Sequence, residues 1–472
     1  MEANGVLKLR EDEDSVTVGL TDGGGRTETD TAALLERLKR FHRKPCLLVR
    51  VDSRELQAYL GRTLSGGGNE GGAPGTGQGT EQLALDRLAN DAPIVNLVNS
   101  LLIEAIRQDA SDIHIESFAD RILVRYRIDG ALRIVSSITT DQFAGVSSRI
   151  KIMANLNIME RRLPQDGRIS VHLEGKPFDL RVSVVPVAHG ESIVLRLFQR
   201  TGNIMSLDEL GFDEEQVGAV RQSVALPHGL FLVTGPTGSG KTTTLTAILA
   251  ELRSEERKII TIEDPVEYLI DGVNQIPTND QIGLTFDSLL RRVLRQNPNI
   301  IMVGEIRDAA TAELAVRAAL TGHLVLSTLH TNDAVSAVTR LANMGIERYL
   351  ISGVLRAVLA QRLVRRVCDR CAEKAPPAPA QRARLESFGV EPERLVAGTG
   401  CDRCGGTGFH GRIAIGEIFR VDRELEQAIA NERDTAKMTD LLAGRGMRSL
   451  LADGYRKAAR GLTTLSEVEA VA

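Results

Sequence analysis

The chain contains no tryptophan, and aromatic residues make up only 3% of its 472 positions. Grooves that stack bases or sugar rings need exposed aromatic planes, so stacking platforms for single-stranded nucleic acid and ring-lined carbohydrate sites are excluded, and the cores must be aliphatic. Positive charge is not in excess either. Lys and Arg number 58 against 62 Asp and Glu, a net charge of -4, which is not the footprint of a dedicated DNA or RNA binder, and no nucleic-acid partner is expected. Long apolar runs are missing. The longest uncharged stretches, Gln222 to Gly240 and Ala318 to Asn332, are broken by Gly, Ser, Thr, His or Pro and fall short of the roughly 20 mostly apolar residues a spanning helix needs. The opening Met-Glu-Ala-Asn shows no basic segment followed by an apolar one, so a chain that stays in the cytoplasm is expected. Five cysteines in this length are too few for a disulfide scaffold.

Hydrophobic residues are 42% and charged residues 25%, enough for sizeable cores, and the length suits about three to four domains. Ser65 to Thr80 (SGGGNEGGAPGTGQGT) has no apolar residue larger than Ala or Pro, so residues 61–80 are read as a flexible linker. Before it, residues 1–60 look like a small α/β module, with short apolar runs such as Cys46 to Val49 and a helical stretch from Thr31 to Arg40. Cys46 itself is expected to be buried. Residues 81–200 read as an α+β domain. Asp91 and Pro93 open a helix whose apolar residues recur at helical spacing, after which the period shifts to two and Asp129-Gly130 marks a hairpin turn. A second hairpin is expected from Asp179 to Phe198, turning near His189-Gly190. From Gly229 onward short apolar strands alternate with helices, the pattern of an α/β fold built on a mostly parallel sheet. That domain is assigned to residues 201–365, a cysteine-bearing insertion to 366–411, and a helical region to 412–472.

The apolar strand Leu230 to Val233 leads into Gly235-Pro236-Thr237-Gly238-Ser239-Gly240-Lys241-Thr242, then into a helix from Thr243. This is G-x-x-x-x-G-K-S/T in its strand-loop-helix setting. Glycines let backbone N–H groups converge on phosphate oxygens, the helix N-terminus adds partial positive charge, Lys241 reaches the β and γ phosphates, and the Thr242 hydroxyl suits Mg²⁺. ATP and Mg²⁺ are therefore expected, with Thr243 closing the loop. Two acidic candidates follow strands. Ile259 to Ile262 runs into Glu263, assigned to orienting or deprotonating the attacking water. Ile300 to Val303 runs into Gly304-Glu305, where an Asp is usual, and Glu305 is assigned to Mg²⁺ or its waters. His323 and His330 flank the strand Leu324 to Leu329 and are candidates for sensing the γ-phosphate.

Arg181 and Arg196 would lie opposite each other if the second hairpin turns near Ala188 and His189, and Arg291 and Arg295 stand at i and i+4 on one helix. By spacing alone the default reading is solvated faces with local ion pairs; as phosphate ligands, some would serve a neighbouring subunit and require a ring. Cys368-x-x-Cys371 and Cys401-x-x-Cys404 make a Cys₄ site suited to structural Zn²⁺, with a 29-residue insert (372–400) between the pairs. A redox dithiol pair or an iron–sulfur cluster are the other uses of such cysteines.

GPTGSGKTTT, TIEDPVE, RQNPNIIMVGEIRD and GHLVLSTLHTNDA resemble the Walker A, Asp box, Walker B and His box of the secretion and type IV pilus ATPases, and SDIHIE, RYRIDG and RLPQDGRIS resemble that family's second N-terminal domain. The Cys₄ insertion, followed by Gly411 to Glu417, resembles the assembly branch, and the short module before the linker is similar to that of the E-type traffic ATPases of type II secretion. Type IV pilus assembly is the alternative. The resemblance implies a RecA-like P-loop ATPase domain preceded by a PAS-like α+β domain. It also implies a homo-hexameric ring, peripheral on the cytoplasmic face of the inner membrane, that drives pseudopilus assembly and protein export. Its implied partners are the platform's L-type protein, through that protein's cytoplasmic domain, the polytopic F-type protein, and acidic lipids. The family's phosphate-contacting arginines match Arg181, Arg196, Arg291, Arg295 and Arg412. A nucleic-acid motor and a nucleotide-gated scaffold without turnover are the rival classes.

Overall fold

The computed structural model describes residues 6–11, 16–21, 46–51, 89–173, 176–199, 204–391, 394–432 and 434–472. The chain divides into two units, Met1–Gly79 and Thr80–Ala472. In the first, strands β1 (Val6–Glu11), β2 (Val16–Thr21) and β3 (Cys46–Val51) form a sheet in which β1 and β2 are antiparallel and β2 and β3 parallel. The helix expected over Thr31 to Arg40, the side chain of Cys46 and the linker 61–80 lie outside the described residues.

The second unit opens with helix α1 (Ala92–Arg107), which starts at Asp91 with Pro in its first turn and buries Ile94, Val98, Leu101, Leu102 and Ala105. A six-stranded antiparallel sheet follows in the order β6-β5-β4-β9-β8-β7, built from β4 (Asp112–Ser117), β5 (Ile122–Ile128), β6 (Ala131–Ile138), β7 (Gln165–Leu173), β8 (Lys176–Val187) and β9 (Gly190–Gln199). Asp129 and Gly130 both adopt positive φ, as a two-residue turn between twisted strands requires. Alternation sorts the faces. Ile113, Ile115, Val124, Tyr126, Leu180, Val182, Ile193 and Leu195 share one core with α1 and helix α2 (Thr140–Met153). The residues between them, Asp112, Arg127, Arg181 and Arg196 among them, therefore project from the other face.

The larger sheet has seven strands in the order β12-β11-β13-β14-β10-β15-β18. They are β10 (Gly229–Thr234), β11 (Ile259–Glu263), β12 (Asn274–Pro277), β13 (Ile300–Val303), β14 (Leu324–Leu329), β15 (Leu355–Val367) and β18 (Phe409–Arg420), all parallel to their neighbours except β18, which runs antiparallel to β15. Successive residues of β10 enter cores on opposite faces, Leu230 and Leu232 on one and Phe231 and Val233 on the other. A strand buried on both faces reads as a continuous apolar run, as this one does.

The range 412–472, expected to be helical, therefore begins as strand. The cysteine insertion interrupts a long hairpin, and the strand on its far side returns to the same sheet. The helices that follow are part of the same domain: Leu425, Ile429, Leu442, Leu450, Tyr455 and Val468 belong to the core that holds Leu230 and Val325. Helix Leu450–Ala459 is fastened to β18 by a buried pair. Asp453 accepts from the Gly416 N–H at 2.8 Å and from Lys457 Nζ at 2.6 Å, and Lys457 also donates to the Ala414 carbonyl at 2.8 Å. Both side chains are 2% exposed, and burial lowers the Lys457 pKa from its ordinary value, with Asp453 opposing the fall. Asp453→Ala would strand a buried ammonium, and urea melts are expected to show a loss of about 3–5 kcal/mol; a loss below about 1 kcal/mol would show that the tail is not part of the nucleotide domain's core.

Candidate functional site

The loop after β10 turns on residues that only glycine fits easily. Gly235, Gly238 and Gly240 have φ of 150°, 87° and 81° in the order 235, 240, 238, and a Cβ on Gly235 would stand 2.6 Å from the Gln361 carbonyl and the Ser239 hydroxyl. At Gly238 the space is open, leaving the backbone approachable from the chamber it lines. Below the loop, Gln361 of β15 donates to the Ser239 carbonyl at 2.7 Å and accepts from Thr244 at 2.8 Å, locking the loop to the sheet. Helix α3 (Lys241–Leu252) begins at its end. Lys241 is buried and donates to the carbonyls of Gly235 and Pro236 at 2.8 and 3.0 Å. Burial brings its pKa down to about 8, with Glu305 working in the opposite direction.

A chamber of about 910 Å³ lies over this loop. It is walled on one side by Thr237, Gly238 and Gly240 to Thr243 of the larger sheet's domain, and on the other by the charged face of the smaller sheet. Glu263 and Glu305 both line it. Glu263, the last residue of β11, is 6% exposed, and its Oε1 accepts from Thr261 at 2.6 Å and from Gln275 at 2.9 Å, which fixes the carboxylate while its other oxygen takes no hydrogen bond among the described residues. Glu305 is held by Arg307 and by His330 Nε2 at 3.1 Å. Burial pushes the Glu305 carboxyl up, but the bonds from Arg307 and His330 prevail and hold it below its ordinary value.

Arg181 and Arg196 stand opposite each other on β8 and β9, and both line the chamber of their own chain. No second copy is needed to bring them there. Arg412 lines it as well, 3.9 Å from Asp129. His323 does not. It precedes β14 and its Nδ1 lies 3.0 Å from the Ala318 carbonyl, at the far end of a six-residue strand from His330 and so on the order of 20 Å away. The structure therefore does not bring His323 to the loop of its own chain. Arg291, on helix α4 (Phe286–Val293), and Arg295, in the turn after it, are exposed and do not line the chamber.

Four further residues complete the site. Asp112 is 4% exposed at its side chain and accepts from Arg196 Nε at 2.8 Å and from Ser111 at 2.8 Å, with Arg127 Nε at 3.6 Å. It stands opposite Arg196 on one side and Arg127 on the other, so one buried carboxylate aims two arginines into the chamber. Glu267, its carboxyl pushed up by burial, lines the chamber with Thr242. Arg307 grips Glu305 and lies 3.5 Å from Asp264. Glu267 and Arg307 sit inside the motifs around Glu263 and Glu305, and Asp112 and Arg127 inside SDIHIE and RYRIDG, though none of the four was singled out there as a site residue.

The donor set fits a hard cation. The Thr242 hydroxyl and the ionised Glu305 carboxylate line the same chamber, two oxygen donors of the kind Mg²⁺ takes.

The four cysteines form a second site. Sγ atoms of Cys368 and Cys401 are 3.8 Å apart, those of Cys371 and Cys404 3.9 Å, and those of Cys401 and Cys404 3.8 Å. Four sulfurs bound tetrahedrally at about 2.3 Å from one ion stand about 3.8 Å apart, so the thiols are spaced for a metal rather than for disulfides. Burial raises the Cys404 thiol, but N–H groups of Cys401 and Gly408 overcome it and bring the pKa down to about 6. The insert between the pairs folds on itself, with β16 (Ala372–Ala375) paired to β17 (Leu395–Gly398), which is why so long a spacing still closes one site. Gly398 and Gly408 touch there; a Cβ on Gly408 would be 2.4 Å from the Gly398 carbonyl.

Two outcomes follow from these environments. The Lys241 ammonium of the free protein is lost as pH rises through about 8, so ATP affinity should fall above that pH, by up to about tenfold per unit, with proton uptake on binding seen in calorimetry across buffers of different ionisation heat. Elemental analysis of purified chain should find about one zinc per chain, abolished in Cys371→Ser, since loss of one thiolate leaves an incomplete tetrahedron.

The family model described as "Type II/IV secretion system protein" matches residues 87–470. The type II secretion system protein HxcR of Pseudomonas aeruginosa is 44% identical over 437 residues, covering 90% of this chain and 89% of its own length. The type II secretion system ATPase E of Vibrio cholerae is 47% identical over 379 residues, covering 80% and 75%. Among solved structures, the pilus retraction motor PilT with bound ADP superposes with a TM-score of 0.53 at 25% identity, covering 79% of this chain and 96% of PilT. The chain belongs to the type II/IV secretion system protein family, as one of its E-type traffic ATPases.

Proposed function

We propose that this chain is the motor of a type II secretion system, hydrolysing ATP to drive pseudopilus assembly and protein export. The observation that carries the chemistry is the single chamber in which Lys241, Thr242, Glu263 and Glu305 of one domain face Arg181 and Arg196 of the other. ATP is the substrate such a chamber suits: the loop amides and Lys241 take the β and γ phosphates, and arginines from the facing sheet take the remaining charge. Glu263, held by Thr261 and Gln275, orients the attacking water and accepts its proton as the bond between the γ phosphorus and the bridging oxygen breaks. Mg²⁺ would be held by Thr242 and by Glu305 or its waters, and supplies charge neutralisation when bound. His330, bonded to Glu305, is the sensor of that state.

Arg291 and Arg295 are exposed on a single chain, and their assignment is to the nucleotide of a neighbouring copy in a homo-hexameric ring. Zn²⁺ at the four cysteines is structural. Attachment to the inner-membrane platform, through the cytoplasmic domain of its L-type protein and the polytopic F-type protein, and to acidic lipid, rests on family membership alone, as does a place on the cytoplasmic face. Among the described residues no helix is long and apolar enough to cross a membrane.

Mixing tests the ring. Lys241→Ala and Arg291→Ala should each lose turnover, the latter by about 10³-fold, while an equimolar mixture recovers activity by pairing an intact loop with an intact arginine. A mixture no more active than its parts would rule out sites shared in this way.

A further inference from the structure

The row of charges on the small sheet extends beyond the nucleotide chamber. Arg168 of β7 stands opposite Arg181, as Arg181 does opposite Arg196, so three guanidinium groups cross three adjacent strands in register with no carboxylate between them. Like charges directly opposite on a sheet repel. No ion pair within 4.0 Å relieves Arg168 or Arg181 among the described residues, although Asp166 and Asp264 border the same space. One terminal nitrogen of Arg181, Nη2, is buried with no hydrogen-bond partner. Burial, followed by the charge of Arg168, lowers the Arg181 pKa from its ordinary value. A side cavity of about 480 Å³ lies over this cluster, and Arg181, Arg196, Asp264 and Pro265 border both it and the main chamber. Arg168 and Ser183 border only the side cavity. Arg196 is paired with Asp112 and the Arg181 guanidinium lies over the Phe198 ring, 5.0 Å from its centroid, which leaves the buried Nη2 of Arg181 and the exposed head of Arg168 as the donors an anion in the side cavity would satisfy.

We propose that the side cavity is a subsite for inorganic phosphate, separate from the P-loop, that receives the phosphate released by hydrolysis. The inference rests on the ATPase reading. Water adds to the γ phosphorus as its bond to the bridging oxygen breaks, ADP stays on the loop, one proton leaves through Glu263 to solvent, and the phosphate dianion passes Arg181 to reach Arg168 and Ser183. Because the loop residues border only the main chamber and Arg168 and Ser183 only the side cavity, phosphate at Arg168 would not compete with ADP for the loop.

The test uses the full chain with MgATP and added inorganic phosphate at constant ionic strength. In Arg168→Ala, product inhibition by phosphate should weaken about tenfold while KM for ATP stays within about twofold, with partial rescue in Arg168→Lys. Calorimetric titration of phosphate into the ADP-loaded protein should show the same loss. Unchanged inhibition and binding in Arg168→Ala would overturn the subsite, since the phosphate would then be returning to the loop alone. A parallel rise of KM and inhibition constant would overturn it too, by making Arg168 part of the nucleotide site. Wild-type protein without turnover that Lys241→Ala abolishes would instead refute the ATPase reading, and the titration would still decide the subsite.

Discussion

Mutual repulsion among the cations of one chamber is the constraint that organises this molecule. Lys241, Arg127, Arg181, Arg196, Arg307 and Arg412 all line the same space. In the absence of polyphosphate they must be kept there by something other than their ligand. Asp112 holds Arg196 and Arg127, Glu305 holds Arg307, and the carbonyls of the loop hold Lys241. Each of these partners is buried or partly buried, where an unpaired charge is expensive, so the arrangement is stable only as a set.

The two domains of the second unit divide this work. The loop and its acidic residues ride on a parallel sheet buried on both faces, which makes them rigid. The arginines ride on an antiparallel sheet that has one packed face and one charged face. The contact between them continues to the cysteine site, where Asp129 of the β5–β6 turn accepts from the Gly411 N–H at 2.9 Å and Arg133 of β6 reaches the Cys404 carbonyl and the Thr407 hydroxyl at 3.4 and 3.3 Å. Arg127, which lines the chamber, donates to Gly130 in that same turn at 2.9 Å. The cysteine knuckle is thus joined to the nucleotide site through a single hairpin, and a closed metal site would stiffen the wall that carries Arg127 and Arg196.

Much of this was legible in the residues because it is local. The loop from Gly235 to Thr242 is contiguous, and alternation together with the His189-Gly190 turn was enough to put Arg181 opposite Arg196. What was not legible depends on distant parts meeting. Asp112 and Arg196 are 84 positions apart, and nothing in the linear pattern says that β4 lies beside β9. The strand at 409–420 was hidden because the cysteine insertion separates it from its partner β15, so its periodicity stood next to a metal motif and a polar tail. His323 and His330 looked alike as the two ends of one strand, yet only one end of a parallel strand faces the loop that follows its neighbour. Glu267 and Arg307 lay within recognised motifs, but what they do comes from the fold, which buries the Glu267 carboxyl and sets Arg307 against Glu305.

The central claim is that arginines from the small sheet serve the nucleotide bound by their own chain. The most direct test is equilibrium binding of a fluorescent ATP analogue to dilute, monomeric protein with Mg²⁺, comparing wild type with Arg196→Ala. Loss of a charge-assisted contact within one chain predicts affinity about tenfold weaker in the variant and independent of protein concentration. Equal affinities in the monomer, with a difference appearing only at concentrations that favour assembly, would contradict the account and move Arg196 to a neighbouring copy's site.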